Sequence, residues 1–116
     1  MSTKLSETKP TGGFNSLLLT AVDSALVSTM GESAASAMKF YLQVSMITKD
    51  PDGFSRQLEK FFRGSEAGSR LIETKIKRNL ATLMMQTHSI SVSTNNLDER
   101  ALAQFIDSCK SQFLLA

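Results

Sequence analysis

The chain has 116 residues, of which 41% are hydrophobic and 21% charged, enough for one domain with its own apolar core. Thirteen basic and eleven acidic residues leave a net charge of only +2, which by itself does not indicate a nucleic-acid partner. The single cysteine excludes an internal disulfide and favours a reducing, cytoplasmic location. The polar N-terminus lacks the apolar core of a secretory signal, and the longest apolar runs are too short to cross a membrane.

The spacing of apolar residues predicts an all-α protein, a compact bundle of five helices joined by short loops. Residues 1–13 are polar and end in two glycines, so we expect a disordered tail there. Residues 14–116 are expected to form a single helical domain.

The first two helices are predicted on either side of Gly31, which can close one helix while Glu32 begins the next. Asn15 is a candidate N-cap of the first helix. The expected buried stripes are Leu18, Ala21, Val22, Ala25 and Leu26 in the first helix, and Ala34, Ala37, Met38, Tyr41 and Leu42 in the second.

The third helix has the clearest start, because Asp50 can cap it and Pro51 suits the first helical position. Gly64 and Ser65 are predicted to close it, and Gly68 to allow a close helix crossing. The expected buried stripe is Phe54, Leu58, Phe61 and Phe62.

The fourth helix is predicted over residues 66–86, followed by a loop over 87–96 that pins Ile90 or Val92 to the core. A capping box near Asn96 is expected to start the last helix. The stripes are Ile72, Ile76, Leu80, Leu83 and Met84, then Leu102, Phe105, Ile106, Cys109 and Phe113.

Catalytic chemistry is not indicated, and we predict no catalytic, cofactor-binding or metal-binding residue. His88 has no acid near it in sequence to orient it as a base. Cys109 lies on an apolar stripe, which favours a buried and inert thiol. A zinc site needs about four close ligands, and one histidine with one cysteine cannot supply them.

Two surfaces are candidates for binding. Between residues 54 and 80 there are seven basic and three acidic residues, which would suit nucleic acid, although a solvated helix face is the commoner explanation. The residues to test there are Arg70, Lys75, Lys77 and Arg78. Phe113, Leu114 and Leu115 point about 100° apart on a helix, so at least one should stay exposed and could meet a partner or a second copy.

The order of several motifs resembles the Nitrosopumilus output domain, a family of small all-helical archaeal domains. The matching stretches fall within residues 14–85. They are Ala21–Leu26, Gly31–Ser33, Lys49–Pro51, Leu58–Phe62 and Gly64 through Glu73. The resemblance implies a stand-alone or signalling-output module and supplies no catalytic motif.

The leading functional interpretation is therefore a non-enzymatic protein-interaction or signalling-output module in an archaeal cytoplasm, with a homodimer as one form. The first alternative is a nucleic-acid-binding protein that uses its basic third and fourth helices. The second is a carrier of a small apolar ligand between helices, lined by methionine and phenylalanine.

Overall fold

A computed structural model describes residues 10–42, 44–62 and 66–115, and these residues form helices without any strand. The α-helices are α1 (Pro10–Tyr41), α2 (Pro51–Phe61), α3 (Glu66–His88) and α4 (Leu102–Leu115). Short 3-10 turns at Val44–Thr48 and Leu97–Glu99 connect them. No helix in this part of the chain is long and apolar enough to span a membrane.

The described residues contain four α-helices rather than the five predicted, because α1 covers the first and second predicted helices. Gly31 within α1 has a non-helical backbone, with φ 85° and ψ 166°. This conformation is accessible essentially only to glycine. Gly31 therefore divides α1 into two arms, as its helix-stopping tendency predicts, although the element continues across it.

The two arms of α1 lie side by side. Lys39 on the second arm forms an ion pair with Asp23 on the first. Sixteen residues separate them, and in a straight helix that separation spans about 24 Å, far beyond the reach of the two side chains. The chain consequently turns back sharply at Gly31.

The predicted N-terminal boundary is wrong by four residues, since α1 begins at Pro10 rather than at Phe14. Proline suits the first position of a helix because its missing N–H would be unpaired there in any case. Asn15 lies inside α1 and is not its N-cap. Residues 1–9 of the expected tail lie outside the described residues.

The predicted start of α2 is confirmed. Asp50 precedes the helix, its carboxylate accepts a hydrogen bond from the Gly53 amide at 3.0 Å, and Pro51 is the first helical residue. A side chain at position 53 would collide with that carboxylate and come within 3.2 Å of the Met46 sulfur. Gly53 thus provides the space in which the cap forms.

The core is formed by one face of each helix. The stripe of the first arm of α1 is fully buried as predicted, and Ile72, Ile76, Leu80 and Met84 of α3 pack against it. The Asn79 amide donates to the Ala21 carbonyl at 3.2 Å and ties α3 to α1. The other fully buried large side chains are Phe14, Met38, Ile47, Phe54, Leu58 and Phe105.

Two predicted stripes are shifted. In the second arm of α1 and at Leu42 just after it, the buried residues are Ala35, Met38 and Leu42, whereas Ala34, Ala37 and Tyr41 are exposed. In α2, Phe54 and Leu58 are buried but Phe61 is exposed. Residues three or four apart are buried in both cases. In the second arm the core meets the side that carries Ala35, so only Met38 and Leu42 of the predicted stripe are buried.

The crossing at Gly68 is confirmed, since a Cβ atom there would lie 2.7 Å from the ring of Phe62. The turn proposed at Gly64 and Ser65 lies outside the described residues. Ile90 and Val92 in the following loop both pack against the core, as predicted.

The capping box of the last helix is wrong. Asn96 adopts a left-handed conformation and its side chain makes no capping hydrogen bond. Leu97–Glu99 forms a separate 3-10 turn, and α4 starts only at Leu102. Asn and Asp tolerate left-handed backbone better than most residues, so Asn96 serves this turn rather than the helix.

The cap at Asp50 and the space at Gly53 give a testable coupling. Asp50→Ala should lower the free energy of unfolding by about 1 kcal/mol. Gly53→Ala should also destabilise the protein, because the new methyl group displaces the capping carboxylate. In the Asp50→Ala background the same change should be neutral or stabilising, since alanine favours helix over glycine by about 1 kcal/mol. Urea denaturation of the four proteins measures this coupling, and additive effects would contradict it.

Candidate functional site

Three aromatic side chains form an exposed cluster where α1 ends beside α2, here called the aromatic patch: Phe40, Tyr41 and Phe61. Phe40 is 87% and Tyr41 73% exposed. Their ring centroids lie 6.0 Å apart with the rings nearly perpendicular. Tyr41 and Phe61 line one cleft, which lies between the exposed pair of α1 and the exposed ring of α2.

The aromatic patch borders a groove along α2. One cleft of about 340 Å³ is lined by Tyr41, Leu42, Gln57, Lys60 and Phe61. A second, of about 270 Å³, shares Gln57 and Lys60 with the first and adds Met46, Asp50, Gly53 and Arg56. We call the two together the α2 groove.

Sequence reasoning missed the aromatic patch because it placed Tyr41 and Phe61 on buried stripes. The available signal was Phe40, a large aromatic residue that fits none of the predicted stripes. Because successive helical residues point about 100° apart, a chain that buries Met38 and Leu42 turns Phe40 and Tyr41 away from the core.

The three residues of the predicted C-terminal surface are not equivalent. The Phe113 ring packs 5.7 Å from Phe14 and 4.8 Å from His88, measured between ring centroids, and is partly buried against the core. Leu114 is about half exposed and Leu115 is 86% exposed. The exposed apolar surface at the end of α4 is therefore smaller than the predicted one, because only Leu114 and Leu115 contribute to it.

Of the four residues predicted to form a basic surface, Lys77 is not at the surface. Lys77 is only 2% exposed, and its ammonium donates to the backbone carbonyls of Leu97 and of Arg100, the second at 2.6 Å. A phosphate group cannot reach it there. Arg70 and Arg78 are exposed and Lys75 is half-buried.

A separate cleft of about 280 Å³, here called the charged cleft, lies between α2, α3 and the segment that precedes α4. It carries both signs of charge, so Arg70 shares it with carboxylates that oppose an incoming phosphate. Its lining residues are Glu59, Ser69, Arg70, Glu73, Lys77, Asp98, Glu99, Arg100 and Ala101.

Burial shifts two pKa values in the charged cleft. Desolvation raises the pKa of Glu73, although a hydrogen bond from Ser55 and the charge of Lys77 oppose the shift. Desolvation likewise lowers the pKa of Lys77, against the attraction of Glu73 and Asp98. In both groups burial disfavours the charged form. The hydrogen-bond partners of both groups belong to the fold itself: Ser55 for Glu73, and the Leu97 and Arg100 carbonyls for Lys77. Asp98 is itself held in place, since its carboxylate accepts from the Thr74 hydroxyl at 2.9 Å.

The two residues weighed for catalysis occupy different settings. Cys109 is fully buried, and desolvation raises the pKa of its thiol to about 12, so the nucleophilic thiolate is scarce at neutral pH. His88 is exposed, and its Nδ1 lies 2.7 Å from the Thr87 hydroxyl rather than beside a carboxylate. Among the described residues, no group of three or more histidine, cysteine or acidic side chains could hold a metal ion.

Comparison of the chain with protein-family models, curated proteins and solved structures finds no match.

The raised pKa of Glu73 predicts a pH-dependent effect of Glu73→Gln. At pH values below the unfolded-state pKa near 4.5, Glu73 is protonated in both states and the variant should have nearly the wild-type stability. As pH rises through the native pKa, the wild type loses stability relative to the variant, because it must bury a carboxylate. Urea denaturation at acidic and neutral pH measures the difference, and an unchanged difference would show that burial does not penalise this carboxylate.

Proposed function

We propose that this protein is a non-enzymatic protein-interaction module whose aromatic patch docks a partner protein. The observation that carries the proposal is the exposure of Phe40 and Tyr41 beside Phe61. Contiguous exposed apolar groups are costly in water and commonly mark binding surfaces. Tyrosine is also among the residues that dominate the energy of protein interfaces.

The non-enzymatic part of the proposal rests on the two residues that could have carried chemistry. Cys109 is inside the core with a raised thiol pKa, and His88 is hydrogen-bonded to a neighbouring hydroxyl. The resemblance to the Nitrosopumilus output domain supports a signalling-output role in an archaeal cytoplasm.

The two alternative functions have less support. Nucleic-acid binding through the basic helices loses Lys77, and Arg70 stands among carboxylates of the charged cleft. An apolar ligand carrier needs methionine and phenylalanine side chains around a cavity. Met38, Met84 and Phe54 are instead fully buried members of the core cluster.

Site-specific photo-crosslinking tests the proposed docking surface. A benzophenone amino acid at Tyr41 should give discrete adducts in lysate of the cells that make this protein, because the side chain projects from the patch. The same group at Thr82, exposed on α3, is the matched control. Adduct formation at Tyr41 should fall in a Phe40→Ser background, whose stability should stay within about 0.5 kcal/mol of wild type because Phe40 is exposed.

Two results would contradict the proposed surface. Equal adducts from positions 41 and 82 would show non-specific capture. Adducts that persist unchanged with Phe40→Ser would show that the partner does not use the patch.

The exposed Leu114 and Leu115 support a further form of the same function, self-association through α4. Two copies of α4 about a two-fold axis would cover both leucines, because an isologous contact uses one surface twice. Sedimentation at ~100 µM should then show a dimer, since an interface of micromolar affinity would be mostly occupied. Leu115→Asp should give a monomer of unchanged helix content, and a monomeric wild type would exclude the dimer.

A further inference from the structure

The two flanks of α2 carry opposite charge. Successive residues of a helix are rotated by about 100°, which places Arg56 and Lys60 on one flank and Glu59 on the other. The structure agrees with this rotation: Arg56 and Lys60 line the α2 groove, whereas Glu59 lines the charged cleft. The flank beside the aromatic patch is therefore the basic one.

The α2 groove is apolar at one end, and basic side chains line the rest of it. Tyr41, Leu42 and Phe61 lie at one end, and Lys60 and Arg56 follow along the helix. Among the described residues that line it, the one carboxylate is that of Asp50, which already accepts the Gly53 amide. Lys49 lies just beyond, in a depression that also contains Met46.

We propose that the partner docked at the aromatic patch is an acidic amphipathic segment that lies along the α2 groove. One bulky apolar side chain of the segment occupies the end between Tyr41 and Phe61. Its carboxylates, one or two helical turns away, pair with Lys60 and Arg56. This inference rests on the proposed function and adds the chemistry of the partner.

Charge complementarity favours this occupant over the others. A second copy that met the groove with its own groove would bring Lys60 and Arg56 close to the same residues of its partner, which like charges disfavour. Single-stranded nucleic acid also combines negative charge with flat apolar groups. The rings of Phe40 and Tyr41 are at 87° to each other, so they do not offer parallel faces to consecutive bases.

Fluorescence anisotropy of the full chain with two labelled synthetic peptides tests the inference. Both peptides have about 15 residues and the same leucine and phenylalanine anchors at helical spacing. One carries glutamate at the remaining positions and the other lysine. The glutamate peptide should bind more tightly by at least about tenfold, and added salt should weaken its binding.

Charge-reversal variants show where on the protein the glutamate peptide binds. Lys60→Glu and Arg56→Glu should each weaken the glutamate peptide by about tenfold. Arg78→Glu is the matched control, because it makes the same change of charge at an exposed position outside the groove. Arg78→Glu should change the affinity for the glutamate peptide by less than about twofold. Circular dichroism shows whether each variant keeps its helices.

Each of the remaining outcomes would refute one part of the proposal: the acidic partner, the docking surface or the α2 groove. Equal binding of the two peptides, both abolished by Phe40→Ser, would refute the acidic partner and leave the proposed docking surface intact. Binding of the glutamate peptide that Phe40→Ser does not affect would refute the docking surface itself. An equal loss with Arg78→Glu and Lys60→Glu, or no binding of the glutamate peptide at ~100 µM, would refute the α2 groove as an acidic-segment site. Tighter binding of a labelled oligothymidylate than of the glutamate peptide would assign the groove to single-stranded nucleic acid.

Discussion

The buried ammonium of Lys77 fixes the chain between α3 and α4. It donates to the carbonyls of Leu97 and Arg100, which precede α4 and have no place in a continuous helix. The Leu97 carbonyl also accepts from the Arg100 amide at 3.2 Å, and the charge-assisted hydrogen bonds from Lys77 hold this 3-10 turn against α3. Since α3 also contacts α1, α2 and α4, every helix is positioned relative to the element that carries Lys77.

Local signals in the sequence predicted the parts of the fold that local physics decides. The cap at Asp50, the stop at Gly31 and the crossing at Gly68 each depend on backbone geometry available to one or two residue types. The apolar period likewise predicted the buried face of α3 and of the first arm of α1. All-helical architecture follows from the sum of these signals.

The candidate site was not predictable, because it depends on which face of each helix meets the core. Tyr41 and Leu42 are adjacent and both apolar, and only the packing of the second arm against the first decides that Leu42 is buried. Lys77 was also not predictable. A lysine on a basic helix is usually solvated, and the burial of Lys77 depends on two carbonyls that are 20 and 23 residues away in sequence. The helix count differed because the two helices predicted on either side of Gly31 form the two arms of one element, α1.

Gly31 also sets the direction in which the proposed binding surface faces. Its backbone acts as an elbow that only glycine can form, with no neighbouring atom within 4 Å of a Cβ position to hold it by packing. The exposed pair of Asp23 and Lys39 braces the two arms and contributes little energy of its own. Phe40 and Tyr41 therefore face outward because of a corner nine residues earlier rather than because of contacts they make. The rings can change in identity while the surface keeps its orientation, whereas a change at Gly31 would redirect the surface and leave every ring in the sequence intact.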